Sequence, residues 1–244
     1  MSLRRTGRSQ ILISVVIPAH NEERYLGACL EALQRQRYPR SRFEVIVVDN
    51  ASTDATPRIA RQFGAMVVTE PRMSIGRARQ RGADTAQGDI LASTDADTIV
   101  PPDWLERIAL SFQRDRELGA VFGPFRYSDG TALEKVFIWY LSLALMMALH
   151  ALRRSCFSGN NYAVRREAFW RAGGNNVSLP AAEDVDLSWR LSKVTRVAFD
   201  RDLIVRTSAR RRGEGYGRIL WRTVRSGLRM ILMQRPPYPL PVIR

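Results

Sequence analysis

Cysteine, lysine and long apolar runs are all scarce in this chain, and each scarcity closes off a class of protein. The two cysteines among 244 residues, Cys29 and Cys156, stand in apolar surroundings without metal-ligand spacing. That excludes a disulfide scaffold and a cysteine-based zinc module, and it reads as two buried, reduced thiols in a cytosolic setting. Of 38 cationic side chains only Lys135 and Lys193 are lysines. Arginine favours bidentate contacts with phosphate, but a bias spread over the whole chain reflects composition rather than one site. The apolar run at 11–19 enters the polar His20-Asn21-Glu22-Glu23 and is read as a first strand, not a signal peptide. Residues 136–149 are apolar apart from Ser142 and the borderline Tyr140. A spanning helix needs about 20 such residues, so this stretch is expected to be a core or interfacial helix. No internal repeat and no low-complexity tract is visible.

What the chain does have is enough apolar content, 45%, to bury a full core in one large domain with an appended piece. Its net charge of +14 is concentrated at one end: residues 190–244 carry fourteen Lys/Arg against three Asp/Glu, which is +11 of the total. Such an end could meet nucleic acid, an anionic membrane or a phosphorylated substrate. Its pattern favours the membrane. Arg218, Arg222, Arg225 and Arg229 recur at intervals of four, three and four, with Leu220, Val224, Leu228 and Ile231 on a neighbouring face and Pro236-Pro237 as the stop. This is a basic amphipathic helix suited to the headgroup layer of an anionic membrane. Neither interleaved aromatics nor a known nucleic-acid module accompanies the arginines, so nucleic acid is not an expected partner.

Strands and helices alternate through the front of the chain. Residues 11–17 form a β-branched run stopped by Pro18, and 22–35 place Tyr25, Leu26, Cys29, Leu30 and Leu33 at helical spacing. Residues 44–48 repeat the strand with Asp49 at its end, Asp54 can cap a helix through Arg61, 66–69 read as a third strand and 75–86 as a third helix. The strand at 90–94 then delivers Asp95 and Asp97. Alternate residues of an extended chain point the same way, so both carboxylates can face one hard cation and leave its other positions for phosphate oxygens. Asp-x-Asp recurs at Asp184/Asp186 and Asp200/Asp202, so placement after β/α units, where parallel sheets gather ligands, is what singles out the first pair. Further on, a helix is expected from Pro101-Pro102-Asp103 to about Asp115 and a short strand at 119–123. A polar segment runs from Ser158 to Asn161, helices follow near 167–171 and from Glu183, and strands at 194–199 and 203–207.

Taken together, Val16-Ile17-Pro18-Ala19-His20-Asn21-Glu22, Val47-Val48-Asp49-Asn50-Ala51-Ser52-Thr53-Asp54, Gly76-Arg77-Ala78-Arg79-Gln80-Arg81-Gly82, Asp95-Ala96-Asp97 and Glu183-Asp184 resemble the family-2 glycosyltransferases of the GT-A fold. The resemblance implies an α/β architecture, a Rossmann-like, mostly parallel sheet with helices on both faces. The catalytic domain would span 1–207, with a donor half at about 11–97 and an acceptor half at about 98–207, and 208–244 would form a basic hinge and amphipathic extension. It also implies transfer of a sugar from a nucleotide-diphosphate sugar with inversion, assisted by Mg²⁺ or Mn²⁺. Pro18, Asn21 and Glu22 match the loop that contacts the nucleoside, Asp49 the acidic contact to the base, and Arg79 a basic contact near ribose or phosphate. Asp95 and Asp97 match the metal pair, with Asp97 the better direct ligand, and Asp184 matches the catalytic base. Arg210 to Arg212 fall near the segment that closes over the donor. The processive members' Gln-x-x-Arg-Trp motif is absent, which favours one addition per encounter. The expected setting is the inner face of the cell membrane, with a lipid-linked acceptor.

Plainer readings stand beside these. Asp54 serves equally as a helix cap, Glu183 and Asp186 as charges complementing a helix dipole, His20 as an exposed loop residue and Asn161 as a turn brace. Two rivals keep a similar sheet: a nucleotidyltransferase, which would want a glycine- and basic-rich loop where this chain has Pro18-Ala19-His20-Asn21-Glu22, and a catalytically silent nucleotide-binding scaffold.

Overall fold

The computed structural model describes residues 11–128 and 131–208. The expected arginine hinge at 210–212 and the amphipathic helix beyond it lie outside these residues.

Strands β1 (Ile13–Ala19) and β2 (Phe43–Asp49) are the β-branched runs, buried almost throughout because both faces of a parallel sheet are covered. Helix α1 (Leu26–Gln34) connects them and turns Leu26, Cys29, Leu30 and Leu33 inward. Two features depart from local pattern. Pro18 lies inside β1, opposite Val48. Val16 O accepts from Thr94 N on one side and Ala19 O from Asn50 N on the other, so Pro18, two residues beyond Val16, turns its missing N–H to the side where pairing with the neighbouring strand has already ended. Helix α1 also starts four residues later than periodicity predicts, because the Glu22 carbonyl accepts from Tyr25 and Leu26 in a turn that ties the loop down first.

Next come α2 (Thr56–Gln62), β3 (Met66–Thr69) and α3 (Ile75–Thr85), the last capped by Ser74 Oγ accepting from Arg77 N. Helix α3 lies directly on β1: a Cβ at Gly82 would meet Val16 Cγ1 at 2.3 Å. The chain continues through β4 (Ile90–Ser93), β5 (Thr98–Ile99), α4 (Trp104–Arg114), β6 (Leu118–Phe122), β7 (Phe125–Tyr127), α5 (Ala132–Ala151), β8 (Tyr162–Arg165), α6 (Arg166–Arg171), α7 (Glu183–Val194), β9 (Arg196–Phe199) and β10 (Val205–Thr207). The main sheet has the order β3-β2-β1-β4-β8-β6-β9. All its pairs are parallel except those of β8, which runs against both β4 and β6. A small second sheet, β5-β10-β7, crosses the carboxyl edge.

Apolar side chains fill both faces of the main sheet. Leu26, Leu33, Trp104, Ile108 and Phe112 cover one face, and Ala78, Phe169, Leu187 and Leu191 the other. This is a helix–sheet–helix sandwich, as expected. Among the described residues no helix is long and apolar enough to cross a membrane.

Candidate active site

Parallel strands β1, β2 and β4 deliver their last residues to one edge, and the loops after them are sewn together by side chains. Asn21 adopts a left-handed backbone, φ 54°, which asparagine tolerates. Its Oδ1 accepts from Thr53 N at 2.8 Å, while its own N–H donates to Ser52 Oγ. Glu22 is buried and its N–H donates to Thr56 Oγ1 at 2.7 Å. Asp49, buried at the end of β2, accepts from Ser52 N. Asn50 binds a third loop, donating through Nδ2 to Glu70 O and Arg72 O and accepting from Ser74 N. These loops form a floor whose shape is set by hydrogen bonds, with Ala51 strained into φ 60° to make it.

Asp95 and Asp97 follow β4. Thr207 Oγ1 donates to Asp97 Oδ1 at 3.2 Å, and Ser208 N to the Asp97 carbonyl, so β10 of the small sheet braces this residue. Asp95 Oδ1 accepts from Arg79 Nη2 at 2.6 Å. Arg79 projects from α3, is 3% exposed, and places its other terminal nitrogen on Glu183 Oε1. One buried guanidinium thus ties the strand carrying the Asp pair to the first residue of α7.

Asp184 is the next residue, in the first turn of α7, where the helix dipole favours an anion. Ala182 before it takes φ 63°, a left-handed conformation costly for alanine, which turns the chain sharply into the helix. Asp184 Oδ2 accepts from Gly159 N at 2.7 Å and Oδ1 from Val185 N at 2.8 Å. Gly159 is held in turn by Ser93 Oγ, which donates to its carbonyl at 2.7 Å. No side chain fits at position 159: a Cβ would meet Arg79 Nη2 at 2.0 Å. The Asp184 carboxyl is pushed up to about 7, first by removal from water and then by the neighbouring Glu183 charge, against the opposing pull of Arg79 and the two backbone N–H groups. A carboxylate poised near neutrality is suited to accepting a proton.

Two hard carboxylates at a strand end fit a divalent cation that completes its shell with phosphate oxygens, the way Mg²⁺ is usually held. One oxygen of Asp95 already faces a cation, Arg79, whereas Asp97 accepts from a neutral hydroxyl, Thr207 Oγ1. Among the described residues no group of three or more His, Cys, Asp or Glu gathers around one point.

The structure brings Asp49, Asp95, Asp97 and Asp184, with the Pro18–Glu22 loop, to one sheet edge. It sets Arg79 within the protein as a bridge between two carboxylates. Three contributors escape local reading: Asn50, Glu183 and Gly159. Glu183 reads in sequence as a helix-terminal charge and in three dimensions also as the buried partner of Arg79. Asn161, open between acceptor contact and brace, is a brace: fully buried, it accepts from Trp104 Nε1 and donates to Pro124 O and Leu203 O.

A doubly covered sheet with this edge defines a GT-A type sugar transferase. Residues 14–173 match the model of glycosyl transferase family 2, and the chain belongs to that family. It is 40% identical over 101 residues to glycosyltransferase AglE of Haloferax volcanii, covering 39% of this chain and 33% of that protein. It is 30% identical over 196 residues to the beta-monoglucosyldiacylglycerol synthase of Synechocystis sp., covering 73% of this chain and 40% of the relative. The chain therefore spans less than half the length of these curated relatives. Among solved structures, the mannosyltransferase PcManGT of Pyrobaculum calidifontis, in complex with GDP-Man and Mn²⁺, superposes with a TM-score of 0.69 at 26% identity, covering 90% of this chain and 62% of that one.

Proposed function

We propose that this family-2 glycosyltransferase transfers a single sugar, with inversion, from a nucleotide-diphosphate sugar to an acceptor hydroxyl. The observation that carries the reading is the Glu183–Arg79–Asp95 bridge, which joins the candidate metal pair to the helix start bearing Asp184. Inverting displacement needs a base near the acceptor, opposite the departing diphosphate, and metal-binding groups near that diphosphate. The bridge holds the two sets at a set separation.

In this reading Asp184 takes the proton of the acceptor hydroxyl as the new bond forms, and the Gly159 N–H keeps its carboxylate aimed. Asp97 and Asp95 would hold Mg²⁺ or Mn²⁺. When bound, the ion stabilises the charge that develops on the leaving diphosphate. Arg79 acts by holding Asp95 and Glu183. The loop of Pro18, Asn21 and Glu22, with Asp49, receives the nucleoside. Residues 1–207 form the catalytic domain, with donor and acceptor halves meeting at about 97, and 208–244 the basic extension. The named neighbour's GDP-Man and Mn²⁺ support the donor and metal, and the beta-monoglucosyldiacylglycerol synthase among the relatives supports a lipid-linked acceptor.

Thermal unfolding with UDP, GDP and dTDP, each with and without Mn²⁺, tests the donor half, because a ligand of the native state raises the midpoint by mass action. One nucleotide giving a metal-dependent rise is expected. No rise with any of them would overturn the reading.

A further inference from the structure

Helix α5 is apolar on its outer side as well as its inner one. A helix on the surface of a water-soluble protein hides apolar residues and shows polar ones. From Lys135 to Ala151 the exposed positions are Val136, Phe137, Tyr140, Ala144, Met147, Ala148 and Ala151, all apolar but for the tyrosine hydroxyl. Val136, Tyr140, Ala144, Met147 and Ala151 fall at intervals of four, four, three and four, one stripe along the helix. Phe137 and Tyr140 are 58% and 65% exposed. The polar residues of the stretch, Lys135, Ser142 and His150, are all only half-exposed, and His150 Nδ1 meets Ser155 Oγ at 2.9 Å. At 1.5 Å per residue the stripe from Val136 to Ala151 is about 23 Å long.

We infer that this outward stripe of α5 lies in the headgroup layer of an anionic membrane, with the helix parallel to its plane. Cations mark both ends of the stripe. The exposed Arg126 stacks its guanidinium 4.2 Å over the Trp139 ring beside Lys135, and Arg153 and Arg154 follow the last turn, against a single acid, Glu134, between 132 and 154. That distribution matches anionic headgroups around an apolar strip, with an aromatic–cation pair of the kind favoured at the boundary. It does not match a second copy, since a two-fold pairing of antiparallel stripes would set Lys135 and Arg126 of one copy against Arg153 and Arg154 of the other. The strand β10 is tied to this end of α5 as well: the Thr207 carbonyl accepts from Ser128 N, a few residues before the helix. Finally, the inner side of α5 packs on the base's own helix, Leu149 against Val185, the residue after Asp184. A membrane on the outer side lies about one helix diameter, roughly 10 Å, from the start of α7. The inference rests on the glycosyltransferase reading only for its consequence, that a lipid-borne acceptor is delivered to Asp184.

Sedimentation of the full chain with phosphatidylcholine vesicles, with and without phosphatidylglycerol, tests it. Wild type should pellet with the anionic vesicles, and the triple change Phe137→Ser, Tyr140→Ser and Met147→Ser should weaken that binding about tenfold or more. All three sites are at least half exposed, so folding is preserved, and the metal-dependent nucleotide shift of the melting midpoint should be the same in both proteins. No pelleting of wild type with anionic vesicles would overturn the inference. So would equal pelleting of the triple variant, or a wild-type dimer that the triple change dissolves while vesicle binding is unaffected. Failure of the nucleotide shift in wild type would instead strike the donor reading and leave the vesicle result standing on its own.

Discussion

The front of the chain, through residue 97, is built by repetition and the part beyond it by reversal. Through residue 97 the chain repeats strand, loop, helix, and each strand ends at the same edge because parallel strands must. Beyond it, β8 runs antiparallel to β4, with Ser93 opposite Tyr162, so the residues before β8 and not those after it stand at the active edge. This reversal brings Gly159 beside Asp184 and lets Ser93, the last residue of β4, hold it. One half therefore offers loops tied to each other, and the other offers Asp184, tied back to the first half through two links, Arg79 and Gly159.

If the halves divide labour in this way, substitutions in them must separate binding from transfer. The largest effect is expected for Asp184→Asn: loss of a general base costs about 10²- to 10⁴-fold in rate, while nucleotide affinity changes little. A variant that kept its rate and lost nucleotide binding would reverse the assignment. Asp97→Asn should do the opposite in the donor half, removing the metal-dependent part of the nucleotide thermal shift together with turnover, as EDTA should for wild type. Activity undiminished by EDTA would end that claim.

The links come next in size. Arg79→Met leaves Glu183 and Asp95 as carboxylates without their buried cation, and breaking a buried pair from one side costs about 3–5 kcal/mol. Chemical denaturation would measure it, and a loss well below 1 kcal/mol would mean the bridge is ornamental to folding. Gly159→Ala meets the same guanidinium, so its stability loss should approach that of Arg79→Met, with the larger part of its functional effect on transfer. Its methyl has to displace the Arg79 guanidinium, which also holds Asp95, and turn the N–H away from Asp184, so the rate should fall further than the nucleotide shift. Equal loss of both would place Gly159 in the general scaffold.

The same contrast explains what the sequence could disclose. Strands β1 to β4 and helices α1 to α3 fall where periodicity puts them to within a few residues, because burial on both sheet faces writes a β-branched signal and helices facing a sheet write a 3.6-residue one. The exceptions have tertiary causes: Pro18 is tolerated only because its neighbour strand has stopped, and α1 is delayed by a turn on Glu22. Asp95 and Asp97 are readable since they close a strand. Glu183, Gly159 and Asn50 are not, because their roles depend on partners 104, 25 and 20 to 24 residues away. Strand β8 is likewise hidden: four residues with a polar flank carry no local mark of running antiparallel. The extreme exposure of α5 could not be read either, since composition gives its apolarity but not which side faces out.

The smallest effect is one of stability with pH, and it probes the base without any substrate. The folded-state value of Asp184, about 7, lies above the ordinary carboxylate value near 3.9. A raised carboxyl favours the protonated native protein, so ionisation of Asp184 opposes folding. That opposition is absent below the ordinary value, grows as pH rises from about 4 towards 7, and is constant above, where the group is charged in both states. Asp184→Asn removes it. Asparagine keeps one acceptor oxygen for the Gly159 and Val185 N–H groups in place of two, which lowers stability by an amount independent of pH. Melting midpoints of variant and wild type, without metal or nucleotide, should thus shift in the variant's favour between pH 4 and 7 and then run parallel. In Glu183→Gln, which removes the neighbouring charge, the acid limb of the transfer rate should move to lower pH, since the first cost of ionising Asp184, burial, remains while the second is gone. A limb that stayed in place would mean that Glu183 serves Arg79 alone and has no part in setting the base.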